Sequence, residues 1–174
     1  PNVVTNLEAG ALVIDQTGVF APIDITTSGA VVSLGDDEVS GTQPIGFSFN
    51  YYGSDYTDFF ISSNGFITFD SNSANGCCSG GLIPSPGDEN NLIALVWEDL
   101  DPSAGGVIRY ETIGTAPDRI LVMEYDNVPY YGGSDDLVKV QLQLFEETNR
   151  IEIHSTNIPA NADATQGVEN SNGT

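Results

Sequence analysis

The chain has 174 residues, with 25 acidic side chains, four basic ones and a formal net charge of −21. This length is enough for one hydrophobic core, so we predict a single domain over residues 1–174. Nucleic acid is excluded as a partner, because no cluster of Lys and Arg is present to displace counterions from phosphates. The acidity has three explanations that the composition leaves open: solubility of an exported protein, adaptation to a salty medium, or ligands for a divalent cation.

The sequence contains no apolar run of about 18 residues and no basic N-terminal region, so we expect neither a membrane span nor a signal peptide in it. Its last residues, 169–174, are polar and lack a closing apolar element. We therefore expect the chain to be one module of a larger exported protein.

Apolar and polar residues alternate with a period of two along most of the chain, a pattern that predicts strands and not helices. In chain order, the predicted strands cover residues 11–14, 30–34, 45–49, 59–62, 66–69, 92–97, 107–111, 120–125, 138–144 and 150–154. Turn-forming residues separate them at short intervals. About ten strands at this spacing indicate an all-β fold, specifically a two-sheet antiparallel β-sandwich of jelly-roll-like form.

The clearest hairpin joins residues 138–144 to residues 150–154 through a turn at residues 146–149. Its alternation directs aliphatic side chains to the core and Lys139, Gln141 and Gln143 to water. Six aromatic residues are assigned to the core: Phe47, Phe49, Phe59, Phe66, Phe69 and Trp97.

Residues 70–91 and 126–136 are too long and too rich in Gly and Pro to be simple turns. Long loops on a rigid sandwich are where binding usually occurs. Together with residues 98–106, they form the predicted recognition surface at one end of the sandwich.

The apolar strand 92–97 is followed directly by Glu98, Asp99 and Asp101. Asp135 and Asp136 reach the same end of the sandwich if the two loops share an edge. Carboxylate oxygens in flexible loops suit Ca²⁺, so these five residues are the candidate calcium ligands and calcium is the one cofactor that we consider. The alternative is that Asp99 and Asp101 cap turns by accepting hydrogen bonds from nearby main-chain N–H groups.

Cys77 and Cys78 are adjacent and are the two cysteines of the chain. In an exported protein they could form a vicinal disulfide, remain as two thiols, or pair with another chain. A disulfide would either present a fixed apolar surface to a ligand such as a sugar ring or merely lock the Gly-rich loop. A zinc site is not expected, because adjacent thiols lack the spacing that metals favour and the single histidine, His154, is predicted to face solvent.

Tyr130 and Tyr131 in the second long loop are candidate ligand contacts, since tyrosine rings stack on sugars and contact proteins at low entropic cost. The alternative is that the tyrosines of this chain cover the ends of the core. We do not expect an enzyme, because the sequence assembles neither an acid–base pair nor a nucleophile with its base.

Residues 50–69 contain an aromatic strand, an Asn64-Gly65 turn and a second alternating strand, and residues 93–101 and 106–110 add Trp97, Asp99, Asp101 and Tyr110. Over roughly residues 45–155, this arrangement resembles the NIDO domain, the extracellular domain of nidogen and of many adhesive proteins. Val96 and Glu98 depart from the family pattern. The Cys77-Cys78-Ser79-Gly80 loop and residues 128–132, in which Tyr130 stands where the pattern has His, are similar to the version found in large secreted proteins of Bacteroidetes.

The resemblance implies an extracellular, cell-surface or secreted, non-catalytic adhesion module, with a glycan, a surface protein or neighbouring modules of the same chain as its partner. It implies no insertion into a membrane. Two other functions remain open: a structural spacer without a ligand of its own, and an accessory domain of a secreted carbohydrate-active enzyme.

Overall fold

In the computed structural model, which describes residues 21–87, 89–133, 135–160 and 164–174, the chain forms two packed β-sheets. The described strands are β1 (Ala30–Val32), β2 (Gln43–Tyr51), β3 (Ser54–Ile61), β4 (Phe66–Thr68), β5 (Leu92–Trp97), β6 (Val107–Ile113), β7 (Ile120–Pro129), β8 (Leu137–Phe145), β9 (Ile151–Asn157) and β10 (Thr165–Glu169). No helix in these ranges is long and apolar enough to cross a membrane.

Each sheet contains five of the described strands, and all neighbouring strands among them are antiparallel. The first sheet has the order β1-β6-β7-β8-β9, and the second has the order β10-β5-β4-β3-β2. The all-β sandwich predicted from the sequence is confirmed, including the β8–β9 hairpin. The predicted strand at residues 11–14 lies outside the described residues. β10 was not predicted, because residues 165–169 contain a single aliphatic side chain.

The main core lies between the two sheets, where the inward-facing residues of both are almost wholly excluded from solvent. β5 is buried on both faces: Ile93 and Leu95 contribute to the main core, whereas Leu92 and Ala94 belong to a second, smaller cluster on the outer face. Phe66 and Trp97 are buried as predicted, but they lie in this second cluster. The loop between β4 and β5 covers it, with Ile83 packed against it.

Gln141 and Gln143 are 3% and 2% exposed, so the prediction that they face water is wrong. The reason is that residues 21–29 lie across the outer face of the first sheet. The Gln141 side chain accepts a hydrogen bond from the Ile23 main-chain N–H and donates one to the Ile23 carbonyl, both at 2.8 Å. Ile25 is buried beside them at 1% exposure. Sequence alternation along one strand does not reveal a distant segment that covers its polar face.

Candidate functional site

Asn64, in the turn between β3 and β4, connects three segments at one end of the sandwich. Its side chain is fully buried and accepts a hydrogen bond from the Leu100 N–H at 3.0 Å. Its amide donates to the Asp37 Oδ1 at 2.9 Å and to the Asn75 carbonyl at 3.2 Å. The next residue, Gly65, has φ of +81°, and a Cβ there would lie 2.1 Å from the Val96 carbonyl oxygen, so this turn requires glycine.

The loop between β7 and β8 joins the same end of the molecule through main-chain hydrogen bonds. The Asp101 N–H donates to the Pro129 carbonyl at 3.0 Å, and the Tyr131 N–H donates to the Asp99 carbonyl at 2.8 Å. Leu100 and Tyr130 form a bridge between the two segments. We call the surface formed by residues 36–38, 64–65, 75–78, 98–101, 129–133 and 135–136 the acidic rim.

Three carboxylates of the acidic rim converge. One oxygen from each of Asp36, Asp37 and Asp99 lies within 4.8 Å of the others. Burial raises the pKa of Asp99, and the charges of Asp37 and Asp36 raise it further. Burial also raises the pKa of Asp36, again with a contribution from Asp37. Asp36 and Asp99 therefore resist ionisation beside the neighbouring carboxylates, which is the electrostatic situation that a bound cation relieves.

No basic side chain neutralises this group, because all four Lys and Arg residues of the sequence form ion pairs elsewhere. These pairs are Arg109 with Glu124 and Asp126, Lys139 with Asp126, Arg119 with Glu146, and Arg150 with Glu152. Three oxygen-donating carboxylates without a protein counter-charge suit a hard cation such as Ca²⁺.

The five predicted calcium ligands are not brought together as one set. Asp99 belongs to the converging group, whereas Asp101 Oδ1 accepts hydrogen bonds from the N–H groups of Ser103 and Ala104 and so caps a turn. Glu98 Oε2 is a buried oxygen without a hydrogen-bond partner among the described residues. Asp135 and Asp136 form part of no group of three ligands in the described part of the chain.

Asp36 and Asp37 were missed by sequence reasoning, because Gly35-Asp36-Asp37 has the composition of an ordinary turn. Asp37 has φ of +54°, a conformation that Asp and Asn adopt more readily than most residues. The pairing of distant segments at the β3–β4 turn, through Asn64 and through the bonds between Glu38 and Ser63, places this turn next to Asp99.

Cys77 and Cys78 form a disulfide on the surface of the acidic rim. Cys78 Sγ lies 4.0 Å from Asp37 Oδ2, and the Cys77 N–H donates to Asn75 Oδ1 at 3.0 Å. Asn75 in turn donates to the Asp37 carbonyl at 2.6 Å. The disulfide is therefore adjacent to the converging carboxylates.

Tyr130 and Tyr131 differ in environment. The Tyr130 ring is half-buried, and its hydroxyl is buried without a hydrogen-bond partner among the described residues. Burial, with the charges of Glu98 and Asp136, raises the pKa of Tyr130 to about 12. Tyr131 is 61% exposed. By contrast, Tyr51 is fully buried and its hydroxyl donates to the Leu92 carbonyl at 2.6 Å, so it completes the core.

A family model described as NIDO related matches residues 13–174 of the chain. Domains of this kind typically occur in extracellular proteins, as modules of larger proteins. No curated protein and no solved structure matches the chain.

Proposed function

The chain belongs to the NIDO-related family, and on that premise we propose that it is a non-catalytic adhesion module of an exported bacterial protein. Recognition takes place at the acidic rim and is assisted by Ca²⁺. The partner is a glycan or a surface protein outside the module.

The observation that carries this proposal is the convergence of Asp36, Asp37 and Asp99 within 4.8 Å, while every Lys and Arg of the chain is paired elsewhere. At this separation like charges repel strongly in a partly buried site. A cation at their centre would attract each carboxylate and so offset the repulsion between them. Ca²⁺ accepts carboxylate and carbonyl oxygens in flexible geometry, and would keep positions open for a ligand.

Two features beside the carboxylates support ligand contact. The exposed ring of Tyr131 offers a flat surface for stacking, and the exposed Cys77–Cys78 disulfide lies on the other side of Asp37.

The proposal is tested by calorimetric titration of the module with CaCl₂. We expect one Ca²⁺ to bind to the wild type and to Asp118→Asn, and binding to be lost in Asp99→Asn. Asp118 lies in the β6–β7 turn at the opposite end of the sandwich, so it is the matched control for charge. Absence of binding to the wild type would remove the calcium site.

A glycan array probed in Ca²⁺ and in EDTA then tests recognition. We expect glycan binding that requires Ca²⁺ and that Tyr131→Ala weakens. Calcium binding without any glycan ligand would direct the search to surface proteins. The absence of both would favour a structural spacer.

A further inference from the structure

We propose that the Cys77–Cys78 disulfide is a redox-responsive element that sets the cation affinity of the acidic rim through Asp37. This inference rests on the proposed calcium site. It adds regulation to that site. The intact disulfide keeps the Asp37 carboxylate available to the cation, and reduction of the disulfide weakens cation binding.

The Cys77–Cys78 disulfide is accessible to reagents in solution. Cys77 and Cys78 are both exposed, and they are the two cysteines of the chain. A small dithiol such as dithiothreitol can therefore reach the sulfur–sulfur bond. The dithiol is oxidised to its cyclic disulfide, the bond between the two Sγ atoms breaks, and each sulfur gains one hydrogen. No competing thiol of this chain can reshuffle the bond.

The two oxygens of Asp37 have different contacts. Oδ1 already accepts a hydrogen bond from Asn64 at 2.9 Å. Oδ2 lies 4.0 Å from Cys78 Sγ. A disulfide sulfur carries no hydrogen, so Cys78 makes no hydrogen bond that would occupy Oδ2. A thiol is a donor, and a thiol at this position would compete with the cation for Oδ2.

The cysteine loop is connected to the position of Asp37. Asn75 accepts from the Cys77 N–H at 3.0 Å and donates to the Asp37 carbonyl at 2.6 Å. A change in the Cys77–Cys78 segment therefore reaches Asp37 in two ways. One is through the hydrogen bonds of the Asn75 side chain, and the other is through the direct approach of Cys78 Sγ to Asp37 Oδ2.

The response to reduction remains local. The loop is held on both sides of the cysteines by contacts that do not involve sulfur. The Trp97 Nε1–H donates to the Gly76 carbonyl at 2.8 Å, and the Thr165 hydroxyl donates to the Gly81 carbonyl at 2.6 Å. Reduction is thus expected to alter Asp37 without unfolding the module.

The test is a calcium titration of the wild-type module before treatment with dithiothreitol, after it, and after re-oxidation. Mass spectrometry confirms the gain of two hydrogen atoms on reduction. We expect the dissociation constant for Ca²⁺ to rise about fivefold or more on reduction, and to return on re-oxidation. The far-UV circular dichroism spectrum should remain unchanged.

Two double variants separate the causes. Cys77→Ser with Cys78→Ser supplies hydroxyl donors and should bind Ca²⁺ as weakly as the reduced protein. Cys77→Ala with Cys78→Ala should not respond to dithiothreitol, which controls for chelation by the reagent. Equal affinity of the oxidised and reduced wild type would overturn the inference and leave the calcium site intact. No Ca²⁺ binding in either state would overturn the calcium site itself.

Discussion

The side-chain carbonyl of Asn64 accepts a hydrogen bond from the main-chain N–H of Leu100 at 3.0 Å, in a fully buried position. Through this bond the β3–β4 turn fixes the end of β5, and with it the orientation of Asp99. The same amide holds Asp37 and Asn75. One asparagine therefore links three segments of the acidic rim.

Replacement of Asn64 by Ala is expected to destabilise the fold by about 2–4 kcal/mol, because it leaves the buried main-chain N–H of Leu100 without its partner and removes the bonds to Asp37 and Asn75. Urea denaturation measures this loss. The control is Asn172→Ala, an exposed residue whose change should stay within about 0.5 kcal/mol of the wild type. Equal stability of the two variants would show that Asn64 does not hold the rim together.

Replacement of Asp99 by Asn should stabilise the calcium-free module, by up to about 1 kcal/mol at neutral pH. The change removes a partly buried charge that faces Asp36 and Asp37, and it breaks no hydrogen bond made by the Asp99 side chain in the described part of the chain. Thermal unfolding in EDTA checks the sign. A lower midpoint than that of the wild type would mean that the Asp99 charge is compensated in the folded protein.

The raised pKa values of Asp36, Asp99 and Glu169 in the folded protein should make the free energy of unfolding depend on pH. A carboxyl whose pKa is higher in the folded state binds more protons there than in the unfolded chain, so it favours folding as the pH falls. The gain begins at the raised folded pKa and is complete near the unfolded values, 3.8 for Asp and 4.5 for Glu.

Below those values the opposite contribution of Glu146 takes over. Arg119 lowers the pKa of Glu146, so its stabilisation is lost as the pH falls through that lowered value. We expect the unfolding midpoint in EDTA to rise as the pH falls from 7 toward the unfolded values of 4.5 and 3.8, and to fall below them. Asp99→Asn and Glu169→Gln should each flatten the rise, whereas Asp118→Asn should preserve it. A midpoint that falls steadily from neutral pH would contradict the assignment.

Gly76 is held against the outer cluster in a left-handed conformation, with φ of +74°. A Cβ there would lie 2.5 Å from the Phe66 ring and 2.6 Å from Trp97 Nε1. Gly76→Ala should therefore cost about 2 kcal/mol or more and displace the loop that covers Trp97. Because Trp97 is the single tryptophan of the chain, its fluorescence reports this displacement directly.

The matched control for Gly76→Ala is Gly53→Ala. Gly53 has φ of +84°, but nothing lies within 4 Å of a Cβ built on it. Its substitution should cost about 1 kcal/mol from the backbone alone and leave the fluorescence unchanged. Identical losses in the two variants would show that loop packing on Trp97 contributes little.

The sandwich could be predicted from the sequence because inward and outward residues alternate along strands such as β2 and β8. The position of Asp99 after the end of a strand could also be predicted from the sequence, because β5 is an unbroken apolar run that is followed by carboxylates. The contacts between segments that are distant in the sequence could not be predicted. Asp37 meets Asp99 because the β3–β4 turn joins their segments, in part through Asn64, and Gln141 is buried because residues 21–29 cross its sheet.

The role of Asp101 could not be predicted from the sequence either, although only neighbouring residues decide it. Its position after β5 matches that of a metal ligand, but its carboxylate accepts from the N–H groups of Ser103 and Ala104. An aspartate followed by a turn satisfies either role, and the sequence contains no feature that separates them.

The most direct test of the account is the thermal unfolding midpoint of the module in Ca²⁺, compared with EDTA and with Na⁺ at matched ionic strength. A cation that binds only the folded state raises the midpoint by mass action, so we expect a rise of several degrees in Ca²⁺ that is absent in Na⁺ and absent in Asp99→Asn. The same midpoint in Ca²⁺ and in Na⁺ would contradict the proposal that Asp36, Asp37 and Asp99 form a calcium site.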